Sequence, residues 1–124
     1  MAEKILVVDD EPHILSMVSR RLSAHGYEVI VASSGEEGIR KAEKDPPDLI
    51  LLDQVMPGMQ GDEVLSLVKK NPAIKKIPVI MFTADVKKVR IGEYQLLGAA
   101  DCLFKPFTPE DLFSKMEKAL GKSS

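Results

Sequence analysis

Four aliphatic runs in this chain each end on a polar side chain. Ile5-Leu6-Val7-Val8 runs into Asp9 and Asp10, and Leu49-Ile50-Leu51-Leu52 runs into Asp53. Pro78-Val79-Ile80-Met81-Phe82 ends on Thr83, and Cys102-Leu103-Phe104 ends on Lys105, followed by Pro106. Short, near-continuous aliphatic runs are strands buried on both faces, hence parallel strands covered by helices. Open sheets of that kind place their ligand sites beyond the carboxyl ends of the strands. The groups delivered there are chemically coherent. Acids hold a hard cation, and a hydroxyl with an ammonium holds a phosphoryl group.

The runs alternate with amphipathic stretches of helical length. Pro12 sits at the first position of a helix predicted to run to Ala24, with Ile14, Leu15, Val18 and Leu22 on one face and Gly26 as its stop. Residues 28–32 form a short strand. Ser34 caps a second helix with Glu36 and Glu37 in its first turn, and Pro46-Pro47 closes it before a strand over residues 48–53. A third helix is predicted over residues 61–70, a fourth over residues 85–97, and a fifth after the cap and first-turn proline Thr108-Pro109. Gly92 costs the fourth helix about 1 kcal/mol relative to alanine. The order is βαβαβαβαβα, with right-handed crossovers.

Composition narrows the function classes. A chain of 124 residues supports one domain, residues 1–124 with a core over about residues 4–120. A net charge of −2 argues against nucleic acid as a direct partner. No apolar stretch approaches the roughly 18 residues of a membrane span. The four residues before the first strand leave no room for a signal peptide, and the single cysteine, Cys102, fits a reducing compartment. The expectation is a cytoplasmic protein with no membrane partner. His13 and His25 lack an acid–hydroxyl partner pattern and read as helix-surface residues. Met56, Met59 and Met81 read as packing and loop residues, and Lys69, Lys70, Lys75 and Lys76 as a solvated face.

Taken together, Val7-Val8-Asp9-Asp10-Glu11-Pro12, Leu51-Leu52-Asp53, Met56-Pro57-Gly58 with Gly61, Phe82-Thr83-Ala84, Gly98-Ala99 and Lys105-Pro106-Phe107 resemble the receiver domain of bacterial two-component response regulators. The resemblance spans about residues 4–120. It implies a flavodoxin-like, doubly wound, five-stranded parallel sheet of order 2-1-3-4-5 with helices on both faces. It further implies Asp53 as phosphoacceptor, and Mg²⁺ held by Asp9, Asp10, Asp53 and the Val55 backbone carbonyl. Thr83 and Lys105 contact the phosphoryl oxygens, and the bond before Pro106 is cis. The implied partners are a sensor histidine kinase or histidine phosphotransfer protein, met around His13, Ile14 and Met17. A downstream protein is met through the face of the fourth helix, fifth strand and fifth helix. The implied function is a phosphorylation-dependent switch in a phosphorelay, catalysing only its own phosphoryl transfer and slow autodephosphorylation.

Three positions depart from the family pattern. Cys102 stands where the family usually carries an aromatic ring that changes rotamer with Thr83, and Tyr94 is a candidate substitute. Val55 and Asp85 stand at the positions that flank the path of the hydrolytic water. The alternatives are a receiver-fold protein-binding module that acts independently of phosphorylation, and a small phosphatase or nucleotide-binding enzyme. The second lacks a Gly-x-Gly-x-x-Gly and a Walker-type lysine.

Overall fold

The computed structural model describes residues 2–84 and 88–121. Among them ten elements alternate: β1 (Lys4–Val8), α1 (Pro12–Ala24), β2 (Glu28–Ala32), α2 (Gly35–Lys44), β3 (Leu49–Leu52), α3 (Gly61–Lys70), β4 (Val79–Thr83), α4 (Lys88–Leu96), β5 (Asp101–Phe104) and α5 (Pro109–Ala119). The strands form one parallel sheet in the order β2-β1-β3-β4-β5. This is the flavodoxin-like arrangement the motifs imply.

The pleat sends successive side chains to opposite faces and so builds two cores. Ile5, Val7, Leu49, Leu51, Ile80, Phe82 and Leu103 meet Val18 and Leu22 of α1 and Leu112 and Met116 of α5. Leu6, Val8, Ile50, Leu52, Val79, Met81 and Cys102 meet Ala42 of α2, Val64, Leu65 and Val68 of α3, and Tyr94 of α4. Each fully buried Leu, Ile or Val contributes about 1.5–3 kcal/mol. β1, β3, β4 and β5 thus each contribute side chains to both cores.

Local chemistry sets the helix ends. The Ser34 hydroxyl accepts from the Glu37 N–H at 3.2 Å, and the Thr108 hydroxyl accepts from the Asp111 N–H at 3.1 Å. Gly26, at φ +93°, reverses the chain from α1 into β2.

Boundaries shift by a residue or two from the sequence expectation. β3 stops at Leu52 and leaves Asp53 just beyond it, whereas β4 includes Thr83, which pairs with Phe104. Asp85, and with it the predicted start of the fourth helix, lies outside the described residues. Lys69 corrects the expectation of a solvated lysine face. Its stem packs against Gly98, and its ammonium donates to the carbonyls of Lys75 and Ile77 at 3.1 and 2.7 Å. That burial lowers its pKa from the usual lysine value. His25 lies just past the end of α1, and its ring stacks on Phe113 at 3.9 Å. Tyr94 is fully buried, so its ring is a core element with no exposed position in this conformation.

Candidate functional site

Strand order reverses between β1 and β3: the chain crosses from β1 out to β2, then back past β1 to β3. Loops diverge at such a point and leave a crevice at the carboxyl edge. Backbone bonds carry the ladder one residue beyond the strands there. The Asp9 N–H donates to the Ala32 carbonyl at 3.1 Å, and the Asp53 N–H donates to the Val8 carbonyl at 3.0 Å. Both acids are thus held by the sheet itself, and both are buried, Asp9 fully and Asp53 to 4% exposure. Asp10, half-buried, completes the group. One carboxylate oxygen from each of Asp9, Asp10 and Asp53 lies within 4.8 Å of the others.

The cation that meets them comes from the far side of the sheet. The Lys105 Nζ donates to Asp9 Oδ2 at 2.7 Å and stands 3.4 Å from Asp53 Oδ1. It also lies 4.7 Å above the centre of the Phe82 ring, a cation–π contact that sequence reading did not single out. The Lys105 N–H donates to the Thr83 carbonyl at 2.9 Å, which ties the ends of β4 and β5 together. Thr83 is fully buried beside it. The Lys105–Pro106 peptide bond is cis.

One ammonium against three carboxylates leaves the crevice short of positive charge. The Asp53 pKa is raised from 3.8 to about 6. Burial is the larger cause; Lys105 opposes it, and the negative charge of Asp9 adds to it. Hard oxygen donors clustered with excess negative charge suit a small divalent cation.

The loop after Asp53 is pinned by residues with no periodic signal in the sequence. Gln54 is buried, and its amide binds across the loop to Gln60 and Asp62. Gly61 passes so close that a Cβ there would stand 2.2 Å from the Asp53 carbonyl oxygen. The Val55 side chain is 66% exposed. Cys102 lies apart from the crevice, in register with Met81 and packed towards the α2–α4 side. Burial, and then the charge of Asp101, raise its thiol above the usual cysteine value. On the α1 side, Ile14, Met17, Ala84, Lys105, Pro106 and Phe107 line an apolar cleft of about 470 Å³ next to the crevice. Among the described residues no helix is long and apolar enough to cross a membrane.

Comparison with known proteins agrees with this geometry. Residues 5–117 match the response regulator receiver domain family. The chain is 38% identical over 123 residues to the alkaline phosphatase synthesis transcriptional regulatory protein PhoP of Bacillus subtilis, covering 99% of this chain and 50% of that protein. The chain therefore spans about half the length of such curated relatives. Among solved structures it superposes on the chemotaxis protein CheY4 of Vibrio cholerae with a TM-score of 0.91 and 36% identity, covering 96% of this chain and 99% of that one. A CheY-like response regulator receiver domain protein from Methanospirillum hungatei gives a TM-score of 0.91 at 31% identity, covering 98% of this chain and 95% of that one.

Proposed function

The chain belongs to the response regulator receiver domain family, the phosphorylation-dependent switches of two-component signalling, and from this we infer that Asp53 is the residue that takes up the phosphoryl group. The observation that carries the reading is the cluster of buried Asp9 and Asp53 with half-buried Asp10, and Lys105 Nζ against the two buried acids. An Asp53 oxygen attacks phosphorus, an O–P bond forms, and the bond from phosphorus to the donor's histidine nitrogen breaks. The product is an acyl phosphate on Asp53. Lys105 supplies positive charge for the new phosphoryl oxygens, and the Thr83 hydroxyl donates a hydrogen bond to them. In-line transfer of this kind depends mainly on positioning and charge neutralisation.

Asp9, Asp10, Asp53 and the Val55 carbonyl are the residues that hold Mg²⁺ on this reading. The three-carboxylate donor set fits such an ion. When bound, Mg²⁺ reduces the repulsion between a carboxylate nucleophile and an anionic donor.

The partner on the donor side is a histidine kinase or a histidine phosphotransfer protein. It is received around His13, Ile14 and Met17, and the apolar cleft beside Lys105 supports that placement. The downstream partner is a protein met through α4, β5 and α5. On this reading residues 1–124 hold one receiver unit that works in the cytoplasm without direct nucleic-acid or membrane contact, and its phosphoryl group is lost by slow self-hydrolysis. Thr83 and Cys102 carry the conformational response. Cys102 favours one second reading, a module that binds its partner regardless of phosphorylation. Equal partner binding by wild type and Asp53→Asn under phosphorylating conditions would establish it.

Intact mass spectrometry after incubation with Mg²⁺ and a small phosphodonor tests the main reading. The expected result is a gain of one phosphoryl group in wild type and none in Asp53→Asn. A gain that persists in Asp53→Asn overturns it.

A further inference from the structure

We propose that Gln54 is a positioning residue for cation binding at Asp53, because its buried amide closes the loop that carries the Val55 carbonyl. The inference rests on the assignment of Asp53 and Val55 given above.

Gln54 follows Asp53 directly and is 1% exposed. Its Nε2 donates to Gln60 Oε1 and to Asp62 Oδ1, both at 3.2 Å, and its Oε1 accepts from the Asp62 N–H at 2.8 Å. Its backbone carbonyl accepts from the Gly61 N–H at 2.9 Å. The site uses a donor and an acceptor together. The Asp62 N–H meets an oxygen, and the Gln60 and Asp62 side-chain oxygens meet N–H groups. A primary amide supplies both kinds of group at once. The loop between Gln54 and Gly61 is thereby tied at its mouth, with Met56 buried in the core as a second anchor. Val55 lies between those two fixed points. Its side chain faces solvent, so the position of its backbone depends on the ties at either side.

A buried amide with this many partners also has a plainer role, stabilising the start of α3. The two roles separate in how a variant responds to a metal ion. Supporting hydrogen bonds behind a ligand typically change metal affinity by about tenfold or more. A purely structural bond lowers stability equally with or without the ion.

Thermal unfolding of the whole chain is followed by circular dichroism while Mg²⁺ is titrated into wild type, Gln54→Met, Asp62→Ala and Asp62→Asn. Phosphoryl uptake from a small phosphodonor is followed by intact mass over the same range. For Gln54→Met, the Mg²⁺ concentration at which Tm begins to rise should increase about tenfold, and the Mg²⁺ concentration giving half of the maximal uptake rate should move by the same factor, with a maximal rate within about twofold of wild type. A uniform fall in Tm with an unmoved onset of the Mg²⁺ effect overturns the proposal. Should Gln54→Met be too unstable to titrate, the Asp62 pair decides. Asp62→Asn keeps an oxygen for the Gln54 amide and should stay near wild type, while Asp62→Ala should shift. Equal shifts in both assign the effect to charge and overturn the proposal. A wild type that takes no phosphoryl group while the Mg²⁺ shifts appear removes the Asp53 reading and leaves the positioning role standing. Phosphorylation of wild type with unshifted variants removes the positioning role alone.

Discussion

Asp53 is a buried carboxylate held beside a second one, and Asp53→Asn removes its charge with almost no change of shape. Its pKa is about 6 in the folded chain against an ordinary 3.8. A shift of about two units, at about 1.4 kcal/mol per unit, corresponds to about 3 kcal/mol. Because the folded value is the higher one, the folded chain keeps a proton that the unfolded chain gives up between 3.8 and about 6. Stability therefore falls as pH rises through that window, and the loss is complete at neutral pH. The asparagine variant has no such loss. Without divalent ions at about pH 7.5, Asp53→Asn should be more stable than wild type by about 2–3 kcal/mol, or about 10 °C in Tm. At about pH 3.5 the two Tm values should nearly coincide. Added Mg²⁺ narrows the gap, since binding at a hundred times Kd returns about 2.7 kcal/mol to wild type. Circular dichroism melts over this pH range, with and without Mg²⁺, measure each quantity. Equal or lower stability of Asp53→Asn at neutral pH without divalent ions refutes the premise that burial beside Asp9 outweighs pairing with Lys105.

The remaining expectations concern the groups around this pair and one helix start. Lys105→Met leaves buried Asp9 without its 2.7 Å partner and should cost about 3 kcal/mol at neutral pH in urea unfolding, while raising the Asp53 pKa further in an NMR titration; unchanged stability counts against the ion pair. Gly61→Ala places a Cβ 2.2 Å from the Asp53 carbonyl oxygen and should cost about 2–3 kcal/mol. Gly92→Ala, with no described atom within 4 Å of the added Cβ, should instead gain up to about 1 kcal/mol. The Ser33 N–H and then Lys41 hold the Glu37 carboxyl down at about 2, so its contribution is present above 4.5 and disappears as pH falls towards 2. Allowing for its partial exposure, Glu37→Gln should cost about 1 kcal/mol near neutral pH, a difference that closes on acidification.

The order of elements was legible because periodicity changes from helical to aliphatic at each boundary, and because glycine, proline and capping residues mark the stops. Where a strand ends was less legible, since side-chain polarity and backbone pairing are separate matters. Thr83 is polar yet stays in the ladder opposite Phe104, and Asp53 leaves the strand while its N–H still bonds to Val8. The acids and Lys105 could be named from sequence because each terminates an apolar run. Gln54 could not. An amide beside an acid has no period, and its partners stand six and eight residues away across a loop. Lys69 was misread for a related reason: a lysine near a helix end looks solvated until the fold brings carbonyls to its ammonium.

The wiring of the crevice bears on how a switch without the usual ring can respond. Asp9 and Asp53 are tied through backbone bonds to β2 and β1, whereas Lys105 is tied to Thr83 on β4. The single Lys105 charge is divided between Asp9 and Asp53. On the proposed function, a divalent cation at the acids lessens the hold of Asp9 on that ammonium, and a phosphoryl group on Asp53 strengthens the pull from the other side. On that reading the ammonium shifts from Asp9 towards Asp53, and its backbone bond to Thr83 links the shift to the β4–β5 edge. Cys102 has too little volume to swing as a ring does, and Tyr94 is already buried to the last atom. On the proposed function, the response therefore reaches Thr83 and Cys102 through the Lys105 backbone rather than through a swinging ring, and Lys105→Met should uncouple phosphoryl uptake from any change at α4, β5 and α5 more completely than Tyr94→Phe does.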